Sequence, residues 1–181
     1  MTNIYQIKVT LKHTPPIWRR IQVAADTKLG KLHHILQAAM GWTDSHLHAF
    51  RAGRTSYGVP DPDFPDDMEM ENERNVRLDR ITAEGDTLIY EYDFGDGWEH
   101  ELKIEKVLKA EPKTRYPVCL AGKRACPPED CGGPWGYEHL LEVLRDPKHE
   151  EHDEMLEWAG PDVDPEAFDL GEVNRAFRRI K

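Results

Sequence analysis

The chain has no apolar run approaching the ~20 residues that a membrane helix needs, and its opening, MTNIYQIKVT, has no basic stretch followed by an apolar one. That sets aside a membrane anchor and an export signal, and a cytoplasmic protein is expected. Cysteine is scarce: three residues, an odd number, do not make a disulfide framework, so a thiol or metal role is the alternative to plain packing. Basic residues are outnumbered as well, 24 Lys and Arg against 34 Asp and Glu, for a net charge of −10. An acidic chain repels a phosphate backbone at long range, which disfavours non-specific nucleic-acid binding. There is no internal repeat and no low-complexity segment, and 181 residues suit a single domain over 1–181, monomeric or weakly dimeric.

What the chain does have is large core-forming side chains. Five Trp, six Tyr and five Phe offset an apolar fraction of 39%, so a packed core is expected beneath a strongly charged surface. Charge is unevenly spread. Residues 1–60 carry eight Lys or Arg against two acids, a net of +6, and the remainder carries 16 against 32, a net of −16. Residues 60–73, PDPDFPDDMEMENE, form a Pro-broken acidic loop whose spacing matches no Ca²⁺-binding loop.

Periodicity gives the elements. Tyr5, Ile7, Val9 and Leu11 alternate with polar residues, and Ile17, Arg19, Ile21 and Val23 do so after Pro15-Pro16, which predicts two half-buried strands. Leu29, Leu32, Leu36, Ala39 and Met40 fall at helical spacing between a cap at Thr27 and a stop at Gly41. His33 and His34 lie on this helix as neighbours and point in different directions, which sets them apart as ligands to one ion. Residues 46–59 read as one or two short strands. Later helices are marked by Tyr137, Leu140, Leu141 and Leu144, by Met155 and Trp158, and by a helix-start signal at Asp164-Pro165 followed by a capping box at Asp169 and Glu172. Strands first and helices last is an α+β pattern: N-terminal strands and one helix, a central antiparallel hairpin within a mixed or antiparallel sheet, and a helical C-terminal segment.

Residues 87–107 carry the hairpin. Leu88, Tyr90, Tyr92 and Phe94 precede the turn at even positions, and Trp98, His100, Leu102 and Ile104 follow it at even positions. Pairing that puts both apolar sets on one face selects a three-residue loop, Gly95-Asp96-Gly97, with Phe94 opposite Trp98 and Gly97 left-handed. His100 then faces inward among aromatic rings. Glu91, Asp93, Glu99 and Glu101 gather on the other face, with Arg19 and Arg20 or Arg51 and Arg54 available to neutralise them.

Residues 119–137, CLAGKRACPPEDCGGPWGY, hold all three cysteines in a C-x6-C-x4-C spacing. A zinc site takes four N or S ligands, usually with tighter Cys spacing, so Cys119, Cys126 and Cys131 are either buried thiols or three ligands of a zinc completed by His100, with His139 as a second choice. Cys131, just ahead of a helix start, is also a candidate reactive thiol, though no base is indicated nearby.

YDFGDGWEH at 92–100, RACPPEDCGGPWGY at 124–137 and EWAGPDVDPEAFDLGEVN at 157–174, with IWRRIQV and LGKLHHILQAAMGW near the start, resemble the plasmid pRiA4b ORF-3-like family. The resemblance implies a bacterial or archaeal α+β protein, often linked to plasmids or insertion elements, and no demonstrated activity. A resolvase-like label attached to some members finds no support in the residues: only Ser45 and Ser56 are available as serine nucleophiles, with Arg51 and Arg54 the nearest basic partners. The expected function is a non-catalytic binding module linked to mobile elements, whose partner is a protein or small ligand. Its surface is expected at Asp93, Asp96, Trp98, Glu129, Asp130, Trp135 and Tyr137, because the unusual sequence lies in turns and loops. A metal- or thiol-dependent enzyme and a DNA-transaction accessory factor are the alternatives.

Overall fold

The alternation in the first 24 residues folds as expected. In the computed structural model, which describes residues 3–60 and 70–180, β1 (Asn3–Leu11) and β2 (Ile17–Ala24) pair antiparallel from Ile4 opposite Ala24 to Leu11 opposite Ile17. From Tyr5 onward their odd-numbered residues are buried and their even-numbered ones half exposed. α1 (Leu29–Met40) lies on the buried face with Leu29, Leu32, Ile35 and Leu36 almost wholly out of water. Each such side chain contributes roughly 1.5–3 kcal/mol. Gly41 ends the helix in a left-handed conformation, φ 100°, as the sequence predicts. The expected Thr27 cap is corrected: Lys28 occupies the cap position and no side chain caps the helix.

The chain continues through β3 (His48–Ala52), β4 (Thr55–Gly58), β5 (Met70–Asn72), a 3₁₀ turn at Glu73–Asn75, α2 (Leu78–Ile81), β6 (Thr87–Tyr92), β7 (Trp98–Lys109) and β8 (Val118–Lys123). Three helices follow: α3 (Gly133–Arg145), α4 (His152–Ala159) and α5 (Leu170–Phe177). The eight strands form one sheet in the order β5-β4-β3-β6-β7-β1-β2-β8, antiparallel throughout except for β4 with β5. The fold is α+β. β8 is an addition to the sequence reading, which took the first cysteine's surroundings for loop. The acidic run at 60–73 lies largely outside the described residues, and what is described of it is β5 and the buried Glu73. Asp164-Pro165 makes only a turn, with Ala167 N–H donating to the Asp164 carbonyl. Asp169 does cap α5, accepting from Glu172 N–H at 2.8 Å.

The central hairpin keeps its predicted face but not its predicted register. Tyr92 pairs with Trp98 and Tyr90 with His100, so the loop is five residues, Asp93 to Gly97. Shifting the register by a whole pair preserves which residues face the core, which is why the even-numbered set is buried either way. Phe94 is thereby released to the surface, and Asp93 leaves the outer face for the hairpin tip. On that outer face Arg51 pairs with Glu99 at 3.3 Å, Lys12 with Glu101 at 3.9 Å and Arg20 with Glu105 at 2.8 Å. These pairs join the basic N-terminal third to the acidic remainder. Arg19 instead points inward, 3% exposed, with Nε donating to the Ala39 carbonyl in the last turn of α1, Nη1 donating to the Trp18 and Lys123 carbonyls, and its guanidinium over Phe168. A cation at a helix C-terminus meets the negative end of the helix dipole.

Two glycines separate strain from crowding. Gly97 has φ 68° with nothing near an added Cβ, whereas a Cβ on Gly136 would overlap the carbonyl oxygen of Cys131. Gly97→Ala is expected to cost about 1–2 kcal/mol, a few degrees of melting temperature. Gly136→Ala is expected to lower it by on the order of 10 °C, since backbone must move. Thermal melts of the two variants check this ordering, and a Gly136→Ala protein that melts with the parent would contradict the packing at the start of α3.

Candidate functional site

Three connections meet at the hairpin end of the sheet: residues 41–47 after α1, the tip 93–97, and the segment 124–132 between β8 and α3. Each places an aspartate in the left-handed region, Asp44 at φ 59°, Asp93 at 57° and Asp130 at 59°. Asp tolerates that conformation better than most residues, but strained backbone gathered at one corner points to function. At the tip, Asp93 Oδ1 accepts the N–H groups of Gly95 at 3.0 Å and Asp96 at 3.3 Å, and the Asp93 N–H donates to the Leu47 carbonyl at 2.9 Å. This local chemistry fixes the tip and attaches it to the first connection.

Aromatic residues fasten the third connection. Trp42 Nε1 donates to the Pro127 carbonyl at 3.0 Å and its ring stacks on Tyr92 at 5.0 Å. The Tyr92 hydroxyl accepts Ser45 N–H at 3.0 Å and donates to Glu129, whose Oε1 also accepts Thr43 N–H at 2.7 Å and the Thr43 hydroxyl. Burial foremost, and the Glu129 carboxylate after it, push the Tyr92 phenol up to about 12.

In the middle stands His46. Its Nε2 lies 2.9 Å from Asp130 Oδ1, 3.6 Å from Asp93 Oδ2 and 3.6 Å from Glu129 Oε2. That nitrogen is shut off from solvent and meets the geometry of a hydrogen bond to none of them. Asp93 is itself buried, 8% exposed, and its Oδ2 has no donor among the described residues. Nor does any Lys or Arg among the described residues lie within ion-pair distance of Asp93, Glu129 or Asp130.

Behind this centre a second polar cluster is fully satisfied. Gln37 Nε2 donates to the Tyr90 hydroxyl at 2.9 Å, so the phenol's own proton goes to His33 Nδ1 at 2.8 Å, and His33 Nε2–H donates to Asp44 at 2.6 Å. His48 stacks on His33 with ring centroids 3.6 Å apart and pairs with the buried Glu73 at 3.0 Å. The two helix neighbours His33 and His34 nevertheless share a partner. Although they diverge on the helix, Asp44 reaches both, at 2.6 and 3.5 Å, and brings the three within ligand distance of one another.

Of the seven expected surface residues, the structure gathers Asp93, Glu129 and Asp130. Asp96 sits on the same tip, half-buried, with Oδ2 enclosed and unpartnered. Trp135 is on the first turn of α3 and 82% exposed. Trp98 and Tyr137 are corrected: both are buried, packed edge to face at 6.5 Å, and they support the surface from beneath. The cysteine set is corrected too. Cys119 lies on β8, Cys126 and Cys131 on the following loop, and these three with His100 do not form a group within ligand distance of one another. Burial raises all three thiols, Cys126 and Cys131 to about 12, which opposes a thiolate. His100 faces inward as predicted, fully buried, with Nδ1–H shared between the Tyr90 and Trp98 carbonyls. His139 pairs with Glu151 at 3.2 Å. His46 and Tyr92 are site residues that the sequence does not single out; the alternation of Asp44, His46 and His48 marks a polar stretch after Gly41 but not where it sits in the fold.

An α+β protein defined by one eight-stranded sheet, with a polar centre built from three connections at the hairpin end, is the class these features describe. The chain belongs to the plasmid pRiA4b ORF-3-like protein family, whose model matches residues 3–172. It is similar to the uncharacterized protein y4hQ of Sinorhizobium fredii, 44% identical over 97% of this chain and 91% of that one. It is also similar to the crystal structure of a protein of unknown function, MM3350, from Methanosarcina mazei Go1, with a TM-score of 0.87 and 39% identity over 95% of this chain and 98% of that one. No helix among the described residues is long and apolar enough to cross a membrane.

Burial holds His33 and His100 at about 4, below the ordinary 6.5 of an imidazole. Unfolding lets both take up a proton between those values, so stability is complete above pH 6.5 and declines as pH falls from there toward 4. Each group adds a slope of up to about 1.4 kcal/mol per pH unit. Urea unfolding at pH 7 and at pH 5 checks it: the loss on acidification is expected to be smaller in His100→Asn, which keeps a donor but cannot titrate. An unchanged loss would contradict the neutral buried imidazole.

Proposed function

We propose that this protein is a non-catalytic binding module whose ligand is cationic, held at the corner where Asp93, Glu129 and Asp130 surround His46. The carrying observation is the convergence of three carboxylates on one imidazole with no Lys or Arg to neutralise them among the described residues. Like charges assembled and left unpaired cost stability, and such a cost is retained where a ligand offsets it. The surroundings suit recognition. Leu47 and Phe94 adjoin the centre on its own segments and are exposed. A cleft of about 330 Å³ between α3 and α4 opens beside Asp130, with Trp158 and Met155 as apolar lining and Glu151 and Glu154 as acids. That is near the lower limit for a small-ligand site.

The alternatives find less support. A thiol enzyme would need a thiolate that burial opposes. Ser45 Oγ is engaged with Thr43 at 2.7 Å and Arg51 with Glu99, which argues against recombinase chemistry. The link to plasmids and insertion elements that the resemblance implies belongs to this proposal as the setting in which the module acts.

Hexaamminecobalt(III), a trivalent cation that keeps its own ligands, tests charge recognition without coordination. At pH 8 and low salt it is expected to raise the melting temperature of the parent by several degrees and that of Asp93→Asn/Asp130→Asn by much less, while the variant alone melts at or above the parent. Equal shifts in both proteins, or a variant that melts lower, would contradict a cation site here.

A further inference from the structure

Resting on that cation-binding reading, we infer that the corner is a metal centre: His46 Nε2, Asp93 Oδ2 and Asp130 Oδ1 bind one divalent transition-metal ion of the zinc and manganese class, with Glu129 beside them. His46, Asp93 and Asp130 offer ligand atoms that all lie within 4.8 Å of one another. Ligands about 2.1 Å from a common ion stand about 3.0 Å apart in an octahedron and about 3.4 Å apart in a tetrahedron. The separations from His46 Nε2 to its two partners, 2.9 Å to Asp130 Oδ1 and 3.6 Å to Asp93 Oδ2, lie within a few tenths of an ångström of such edges.

The hydrogen bonding points the same way. A buried imidazole nitrogen facing three carboxylates would ordinarily donate to one of them, and His46 Nε2 donates to none. Asp93 spends Oδ1 on the backbone of its own turn and leaves Oδ2 free, which is how a carboxylate is oriented to give one oxygen to an ion. Glu129 differs: Thr43 holds its Oε1 and the Tyr92 hydroxyl reaches its Oε2, so it stands beside the ion and is not one of its three ligands. The neighbouring trio of His33, His34 and Asp44 is the contrasting case, because both nitrogens of His33 are already engaged. One imidazole among carboxylates is a mixed donor set that favours zinc, manganese or iron(II) over calcium, and it differs in every ligand from a cysteine site. Three protein ligands leave coordination positions open to a further ligand.

Cobalt(II) chloride titrated into metal-stripped protein tests this by absorption and calorimetry. The expected result is one equivalent bound, a visible spectrum of nitrogen and oxygen ligation without an intense near-ultraviolet thiolate band, and affinity at least 10-fold weaker in Asp130→Asn. Asp130 is largely exposed, so that variant keeps the test valid even if His46→Ala does not fold. Cys126→Ser is expected to bind as the parent does. A thiolate band lost with Cys126→Ser would overturn the assignment in favour of the cysteines, and so would parental affinity in Asp130→Asn. If hexaamminecobalt(III) still protects the protein but neither cobalt(II), zinc nor manganese binds at the corner, the metal assignment falls and the cation-binding reading survives.

Discussion

The Tyr92 hydroxyl occupies the point where the three connections are tied together. It accepts a hydrogen bond from the Ser45 N–H of the first connection, donates one to Glu129 of the third, and belongs to the strand that leads into the tip. Its ring lies under Trp42, whose indole in turn holds the Pro127 carbonyl. Position follows from register: Tyr92 is the last paired residue of β6, opposite Trp98, so the sheet sets where the hydroxyl stands. Without that tie, Glu129 and Asp130 would be on a surface loop with no fixed relation to Asp93 or His46.

Two polar groups of similar composition, side by side, differ in how they are satisfied. Around His33 both ring nitrogens, the Tyr90 hydroxyl and both ends of the Gln37 amide have partners, and the cluster supports the link that carries Asp44 and His46. Around His46 the acceptors are in excess and the one available donor is not aligned with any of them. A buried polar group left short in this way calls for an explanation, and an ion from outside the chain is one that also accounts for the surplus of carboxylates here. The aromatic layer of Trp42, Tyr92, Trp98 and Tyr137 next to His46 lowers the local polarity, which strengthens charge interactions beside it.

The fold was legible where period and turn chemistry speak for themselves: β1, β2, α1 with its Gly41 stop, and the capping of α5 by Asp169. It was not legible in the hairpin register, because slipping by a pair leaves the buried set unchanged and only the local turn at Asp93 decides between the two. Half of the site was visible in Asp93, Glu129 and Asp130, which stood out as acids in glycine- and proline-rich turns. His46 was not, since nothing local says that a histidine 47 residues before one acid and 84 before another will stand between them. The cysteines are the opposite case: their spacing is conspicuous along the chain, but Cys119 lies in β8 and the three do not gather with His100 as a ligand group.

The most direct test is an anomalous-difference map from crystals of the protein grown with manganese. The account places one peak between His46 Nε2, Asp93 Oδ2 and Asp130 Oδ1, at about 2.0–2.3 Å from each. A peak at the cysteine loop instead, or none at this corner in crystals that hold manganese elsewhere, would contradict it.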